Sequence, residues 1–554
     1  MRHHFNTVKR EQDKPTSIHT DTAKLHREGG SSHPETQKPV YQARAPTNLY
    51  SFCSDFILAT CSRIGHSDAS RVIVSTDLMS ILDAHNALQN GDFDGAFELL
   101  ERAARNTTDP KTRASLDLEA AGIYALYGRE GVEGGSACLS DAVLSDSSSR
   151  TNPLYLALRA ELNAYALEAE AFEQNSKLEQ TDPRFDRAAK LAWEARTGDI
   201  IARFHAAAAL VTLGSSERAL ECLNFEFNDL PEFLRWRAHS WRGGALEDLQ
   251  RWREASNAYA TAASMTGGND RAALLMDQAA MLLECDEPHE SLEALEATKA
   301  AYSGEEPALE AASRMHLEAR AHLALENPSL AAERAEAARQ LELDAGEPSY
   351  GTALVHGQAL AQLGEWSASL LAFRAAVERA GPADKSFAQH EMGVAQMDAG
   401  ELDEARETLL LSARDEEYIY LAEVFADLAE VEYRRGDFDA AEGLAKIALE
   451  RGATVPASLI LANVAYEYFR HDEALGHYRK VLELAPEASR DWVIAHEMIA
   501  DTLVQDGWRD PQEILEHSQL ALPHLEPSDE WVVTLGGYIE RANELLREKP
   551  RTLN

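Results

Sequence analysis

Cysteine, strand-forming residues and basic residues are all scarce in this chain. Its 554 residues include five cysteines, Cys53, Cys61, Cys138, Cys222 and Cys285. Their odd number, their scatter and the lack of any CxxC exclude a disulfide-stapled scaffold and point to a reducing compartment. The last three read as small core-facing residues. Aromatics make up 7%, while alanine, leucine, glutamate and arginine dominate, so the bias is helical. Lys and Arg number 53 against 93 Asp and Glu, a net charge of −40. Such a chain repels phosphates, which argues against nucleic acid as a partner. The acidity serves solubility; the sharper reading is an acidic groove for a basic protein or peptide partner. Long apolar runs are missing too. Tyr50 to Ile64 is modestly apolar, but Asp55 interrupts it and it is too short to span a bilayer. No membrane is expected as a partner, and the expected location is cytoplasmic.

Reactive constellations are equally scarce. The chain has no GxSxG, no HExxH, no Walker A loop and no GxGxxG following a strand. The run GREGVEGGS from Gly128 to Ser136 lacks the Gly-Lys-Ser/Thr of a phosphate loop, so its glycines are expected to form a flexible helix–helix turn. The N-terminal histidines His3, His4, His19, His26 and His33 lack ligand spacing. Trp236, Trp241, Trp252 and Trp366 fall at helical packing positions, as core residues would. The expectation is a non-enzyme with no cofactor, no metal and no catalytic residue.

What the chain does have is a repeated pattern. Leu459 to Pro486 reads LILANVAYEYFRHDEALGHYRKVLELAP. Two amphipathic segments flank a break at Arg470-His471-Asp472, and Pro486 stops the second. The small residue Ala474, early in the second segment, has counterparts at Ala441, Ala405, Ser369, Ala331, Ser291, Ala255, Ala219 and Ala96. A small residue midway along the first segment recurs as Ala84, Ala207, Gly243, Ala279, Ala319, Gly357, Gly393, Ala429 and Ala462. Glycine often sits at the turn, as at Gly91, Gly214, Gly364, Gly400 and Gly436, where a helix can end in a left-handed residue. A bulky residue follows two positions later at Phe93, Trp366 and Phe438, and Trp252 takes the matching place. Small residues at these places let two helix backbones approach at the short end of the usual ~8–10 Å range.

This pattern resembles the tetratricopeptide repeat (TPR), a helix–turn–helix unit of roughly 34 residues, with steps here of mostly about 36. The resemblance implies an all-α fold: a right-handed α-solenoid of about 12 TPR-like repeats with a C-terminal capping helix. The expected organisation begins with residues 1–77, a disordered extension read as non-native. There the chain is expected to start at or near Met79, what precedes being an over-long gene call or a disordered tail. N-terminal TPR-like repeats follow over 78–152, a divergent helical pair over 153–198, the main array over 199–527, and the capping helix and tail over 528–554.

The resemblance also implies a function. In TPR proteins the first helix of each pair faces a groove that holds extended or helical peptides. By register, the lining candidates are Arg320, Gln358, His390, Glu430, Tyr433, Asn463 and Tyr466, with His85, Arg237 and Asp501 in equivalent places. TPRs that clamp a C-terminal carboxylate use Lys, Asn and Arg on successive first helices. Here the matching positions carry Leu, Val, Glu and Asp, with only isolated Asn463 and Arg320, so that clamp is not expected. Tyr433, Tyr466 and Asn463 form the strongest local site, because amphipathic aromatics give contact area at low entropy cost. The expected function is a scaffold or adaptor that binds protein segments. The alternatives are a sensor module of a signalling or transcription complex, which would need a separate DNA-binding chain, and a self-assembling structural protein.

Overall fold

The computed structural model describes residues 87, 92–173, 182–302 and 304–548. The extension over 1–77, Met79, Ala84, His85, Gly91, Cys53 and Cys61 lie outside the described residues. Among the described residues there are 24 α-helices and no strand. They fall into two compact units that divide after Gly346.

The first unit holds α1 (Phe93–Asn106), then the pairs α2 and α3 (Pro110–Ala125, Val132–Ser145), α4 and α5 (Pro153–Glu173, Pro183–Ala195), and α6 and α7 (Ile200–Thr212, Ser216–Cys222). It continues with α8 and α9 (Glu232–Asp248, Trp252–Ser264), α10 and α11 (Gly268–Glu284, Pro288–Ala301), and α12 and α13 (Ala308–Ala324, Pro328–Ala345). The second unit holds α14 and α15 (Tyr350–Gln362, Trp366–Arg379), α16 and α17 (Lys385–Asp398, Leu402–Ser412), and α18 and α19 (Leu421–Arg435, Phe438–Arg451). After these come α20 and α21 (Thr454–Glu467, His471–Leu484), α22 and α23 (Arg490–Gln505, Pro511–Ala521), and the closing helix α24 (Glu530–Glu548). The division after Gly346 falls inside the stretch expected to be one main array. The divergent pair α4 and α5 packs directly onto α6 within the first unit.

The hairpins form where the small residues predicted them. Ala96, Ala219, Ala255, Ser291, Ala331, Ser369, Ala405, Ala441 and Ala474 are all fully buried. Ala207, Ala279, Ala319, Ala429 and Ala462 on the facing helices are fully buried too. Where glycine takes that facing position, an aromatic or leucine occupies the space. A Cβ on Gly243 would stand 2.7 Å from the Tyr259 ring, on Gly357 2.8 Å from the Phe373 ring, and on Gly393 2.6 Å from Leu409. The two serines in the alanine series add a bond. Ser291 Oγ donates to the Ala279 carbonyl at 2.9 Å, and Ser369 Oγ donates to the Gly357 carbonyl at 2.8 Å. Each hydroxyl thereby ties the second helix to the small residue it faces. Replacing Gly393 or Ala429 by leucine is expected to cost about 1–3 kcal/mol through overpacking. Thermal unfolding of each variant checks this, and unchanged curves would contradict the register.

Three features differ from expectation. The break in the C-terminal stretch is Tyr468 to Arg470, because α21 already starts at His471. The bulky residues Trp252 and Trp366, expected as core residues, are half-buried at the first position of a second helix. The glycine-rich run is no flexible turn. A short 3₁₀ turn spans Gly128–Gly131, and Gly134 and Gly135 already lie in α3. They are glycine for lack of room: a Cβ on Gly134 would stand 2.4 Å from the Tyr124 ring, and one on Gly135 2.7 Å from Leu162.

Of the cysteines, Cys222 is buried while Cys138 and Cys285 are half-buried. Burial pushes the thiols of Cys138 and Cys222 up to about 12 and about 11, so neither presents a thiolate near neutral pH.

Candidate functional site

The first helices of successive hairpins in the second unit, α14, α16, α18, α20 and α22, carry a row of polar side chains. Neighbouring helices join through them, one step at a time. Gln358 Nε2 on α14 donates to Glu391 Oε2 on α16 at 2.7 Å. His390 on α16 places Nε2 2.7 Å from Asp427 Oδ2 on α18, and its Nδ1 3.2 Å from the Tyr418 hydroxyl. Tyr433 OH on α18 donates to Glu467 Oε1 on α20 at 3.4 Å. Tyr466 OH on α20 donates to Asp501 on α22, and the other oxygen of that carboxylate accepts from Tyr538 OH of α24 at 2.5 Å. Apart from His390–Tyr418, each contact spans 33 to 37 residues, one repeat length.

Two expected site residues stand on the same row without bridging one first helix to the next. Glu430 accepts from Arg434 Nε at 2.7 Å, and Arg434 Nη1 reaches back to the Met397 carbonyl of α16 at 3.3 Å. Asn463 Oδ1 accepts from Tyr478 OH of α21 at 2.7 Å, which satisfies the phenol of a wholly buried ring. His390 departs from the expectation of a lining residue. It is 1% exposed, so it lies beneath the face and positions Asp427 and Tyr418; Arg237 and Asp501, also expected to line the groove, are buried too. Arg320 belongs to the first unit, where its Nη2 donates to Glu284 at 2.8 Å, again one repeat away.

The row is acidic. Glu391, Asp427, Glu430, Glu467 and Asp501 supply the carboxylates, and tyrosine, glutamine and histidine supply most of the donors. Burial, reinforced by these acids, pushes the phenols of Tyr433, Tyr466 and Tyr538 above their usual range. They remain protonated donors at any physiological pH. Burial also raises Glu467. Among the described residues, no group of three or more His, Cys, Asp or Glu could hold a metal.

The sequence reading missed three groups. Glu391, Asp427 and Glu467 are the partners of its chosen residues. They were legible as acids one repeat period from a donor. His496 and His517 pair through their Nδ1 atoms at 2.5 Å, with Trp492 stacked edge-on to His496. Burial, His517 and His524 together lower His496 to about 4. In the first unit, Glu161 of α4 is buried between Tyr165 OH at 2.9 Å and His205 Nδ1 of α6 at 2.6 Å. It lines a shallow cleft together with Tyr165, Trp236, Arg237, Ser240 and Trp241.

No family model and no curated protein matches the chain. Solved structures do, and these neighbours are TPR-repeat proteins at low identity. The Cut9–Hcn1 hetero-tetramer of APC/C matches over 85% of this chain and 97% of that one, at 13% identity and a TM-score of 0.40. YrrB, described as a TPR protein with an unusual peptide-binding site, matches over 36% and 94%, at 18% identity and a TM-score of 0.28. The C-terminal part of a TPR repeat-containing protein from Cytophaga hutchinsonii matches over 47% and 98%, at 18% identity and a TM-score of 0.32.

Proposed function

We propose that the chain is a non-catalytic scaffold that binds a protein segment along the first-helix face of α14, α16, α18, α20 and α22. The observation that carries this reading is the row of repeat-spaced contacts. Polar bonds at every step hold the acids and tyrosines of the row before any partner arrives. A preorganised face loses less entropy on binding than a mobile one. Its half-buried acids, Glu430 and Glu467, select against anionic segments and favour basic ones, while Glu391, Asp427 and Asp501 are buried and hold the row in place. Tyr433, Tyr466 and Asn463 offer ring area and an amide at the centre, Gln358 and Glu430 continue the face, and Arg320 stands at the equivalent place in the first unit.

Co-purification with the wild type and with the Tyr433→Ala/Tyr466→Ala double variant tests the site. A partner that depends on the two rings is expected to drop by about tenfold or more, as for aromatic interface anchors. Tyr433→Phe/Tyr466→Phe keeps the rings, and circular dichroism shows whether each variant is folded. Identical partner recovery with the folded double-alanine variant rejects the site.

A further inference from the structure

In the hairpins from α6 to α21 the turn places one residue in the left-handed region; the α22–α23 turn places two, Gly507 and the half-buried Trp508, whose ring packs on Tyr538. Glycine does so at Gly214, Gly364, Gly400 and Gly436, and flexible or short polar residues do so at Gln250, Asp286 and Glu326. In the hairpin of α20 and α21 the residue is Phe469, with φ 56. A bulky side chain at positive φ is an outlier. This one is also 77% exposed, so its ring gains little burial in return. The fold does not demand it, because glycine serves at four equivalent turns. Backbone strain without a packing reward points to selection for contact.

The surroundings fit a contact. Tyr468, 43% exposed, packs edge-on against Phe438, and Phe438 packs against Tyr433. The Phe469 ring meets His471 at 6.2 Å. Carboxylates rim these rings. Asp439 accepts from Tyr468 OH at 2.7 Å, Glu442 and Glu473 hold Arg470, and Asp472 pairs with Arg509 from a largely exposed position. The chain's own Arg470 shows the chemistry, lying 5.2 Å over the Tyr468 ring between Glu442 and Glu473; the exposed Phe469 ring beside Asp472 offers a second guanidinium the same stacking.

We propose that the turn 468–471, with Phe469 at its tip, is a docking surface for an arginine-bearing cationic peptide segment, separate from the first-helix face. The test titrates the full chain into a fluorescein-labelled peptide of alternating arginine and leucine and follows anisotropy. A peptide with glutamate for arginine is the control. Phe469→Gly is the informative variant, because it relieves the strain as it removes the ring. The expected result is a rise in melting temperature together with an affinity loss of about tenfold or more, as for an aromatic anchor. Asp472→Asn/Glu473→Gln is expected to weaken the same peptide. An unchanged affinity in Phe469→Gly, a lowered melting temperature, equal binding of the glutamate peptide, or no binding by the wild type would each overturn the proposal.

Discussion

His205→Leu is expected to destabilise the first unit by about 1–3 kcal/mol, the cost of leaving a buried polar group without its hydrogen-bond partner. The reason lies in Glu161. Its side chain is almost fully buried, one oxygen takes the Tyr165 hydroxyl, and the other faces His205 Nδ1. Leucine fills much of the imidazole's volume but donates nothing, so the carboxylate loses a partner where water cannot replace it. Urea unfolding followed by tryptophan fluorescence measures the loss, since Trp236 and Trp241 line the cleft beside Glu161. The double variant Glu161→Leu/His205→Leu removes the stranded carboxyl group as well and is expected to recover most of the stability. A double variant as weak as the single one would mean that shape, and not the lost partner, sets the cost.

Gly131→Ala is expected to cost about 3 kcal/mol, the upper end for overpacking, because the obstacle cannot move aside. A Cβ there would sit 1.8 Å from the Tyr124 carbonyl oxygen, which is backbone. The change therefore drives α3 off α2. Gly128, in the same turn, makes the internal comparison. Nothing lies within 4 Å of a Cβ at that position, but φ is +61°. Gly128→Ala meets only the left-handed penalty of about 1–2 kcal/mol. Urea midpoints for the pair separate crowding from conformation. Equal losses would show that the Tyr124 contact relaxes.

The helical hairpins were legible because alanine, glycine and serine at fixed offsets report close backbone approach directly. Ala474 and its counterparts needed only a period. The left-handed turns were half legible. Gly214, Gly364, Gly400 and Gly436 announce themselves, whereas Gln250, Asp286, Glu326 and Phe469 reach the same backbone state with side chains that give no signal. Gly134 and Gly135 misled for the opposite reason: glycine marks both freedom and lack of space, and only the neighbouring Tyr124 and Leu162 decide between them. Among the candidate site residues, register brought out the donors Gln358, Tyr433 and Tyr466 and one acceptor, Asp501, but not Glu391 or Glu467. A surface carboxylate and a carboxylate held by a tyrosine are the same letter. The Glu161–His205 pair was illegible, since its members stand 44 residues apart on helices outside the common spacing.

Asp501 has a consequence for how the array ends. One carboxylate serves two phenols, Tyr466 from the hairpin before and Tyr538 from α24, while Leu535 and Ala542 of α24 are fully buried. The last helix thus satisfies the acceptor and the greasy seat that a further hairpin would otherwise claim. Clipping the chain ahead of Glu530 would leave both vacant and turn a finished terminus into a template for the next copy.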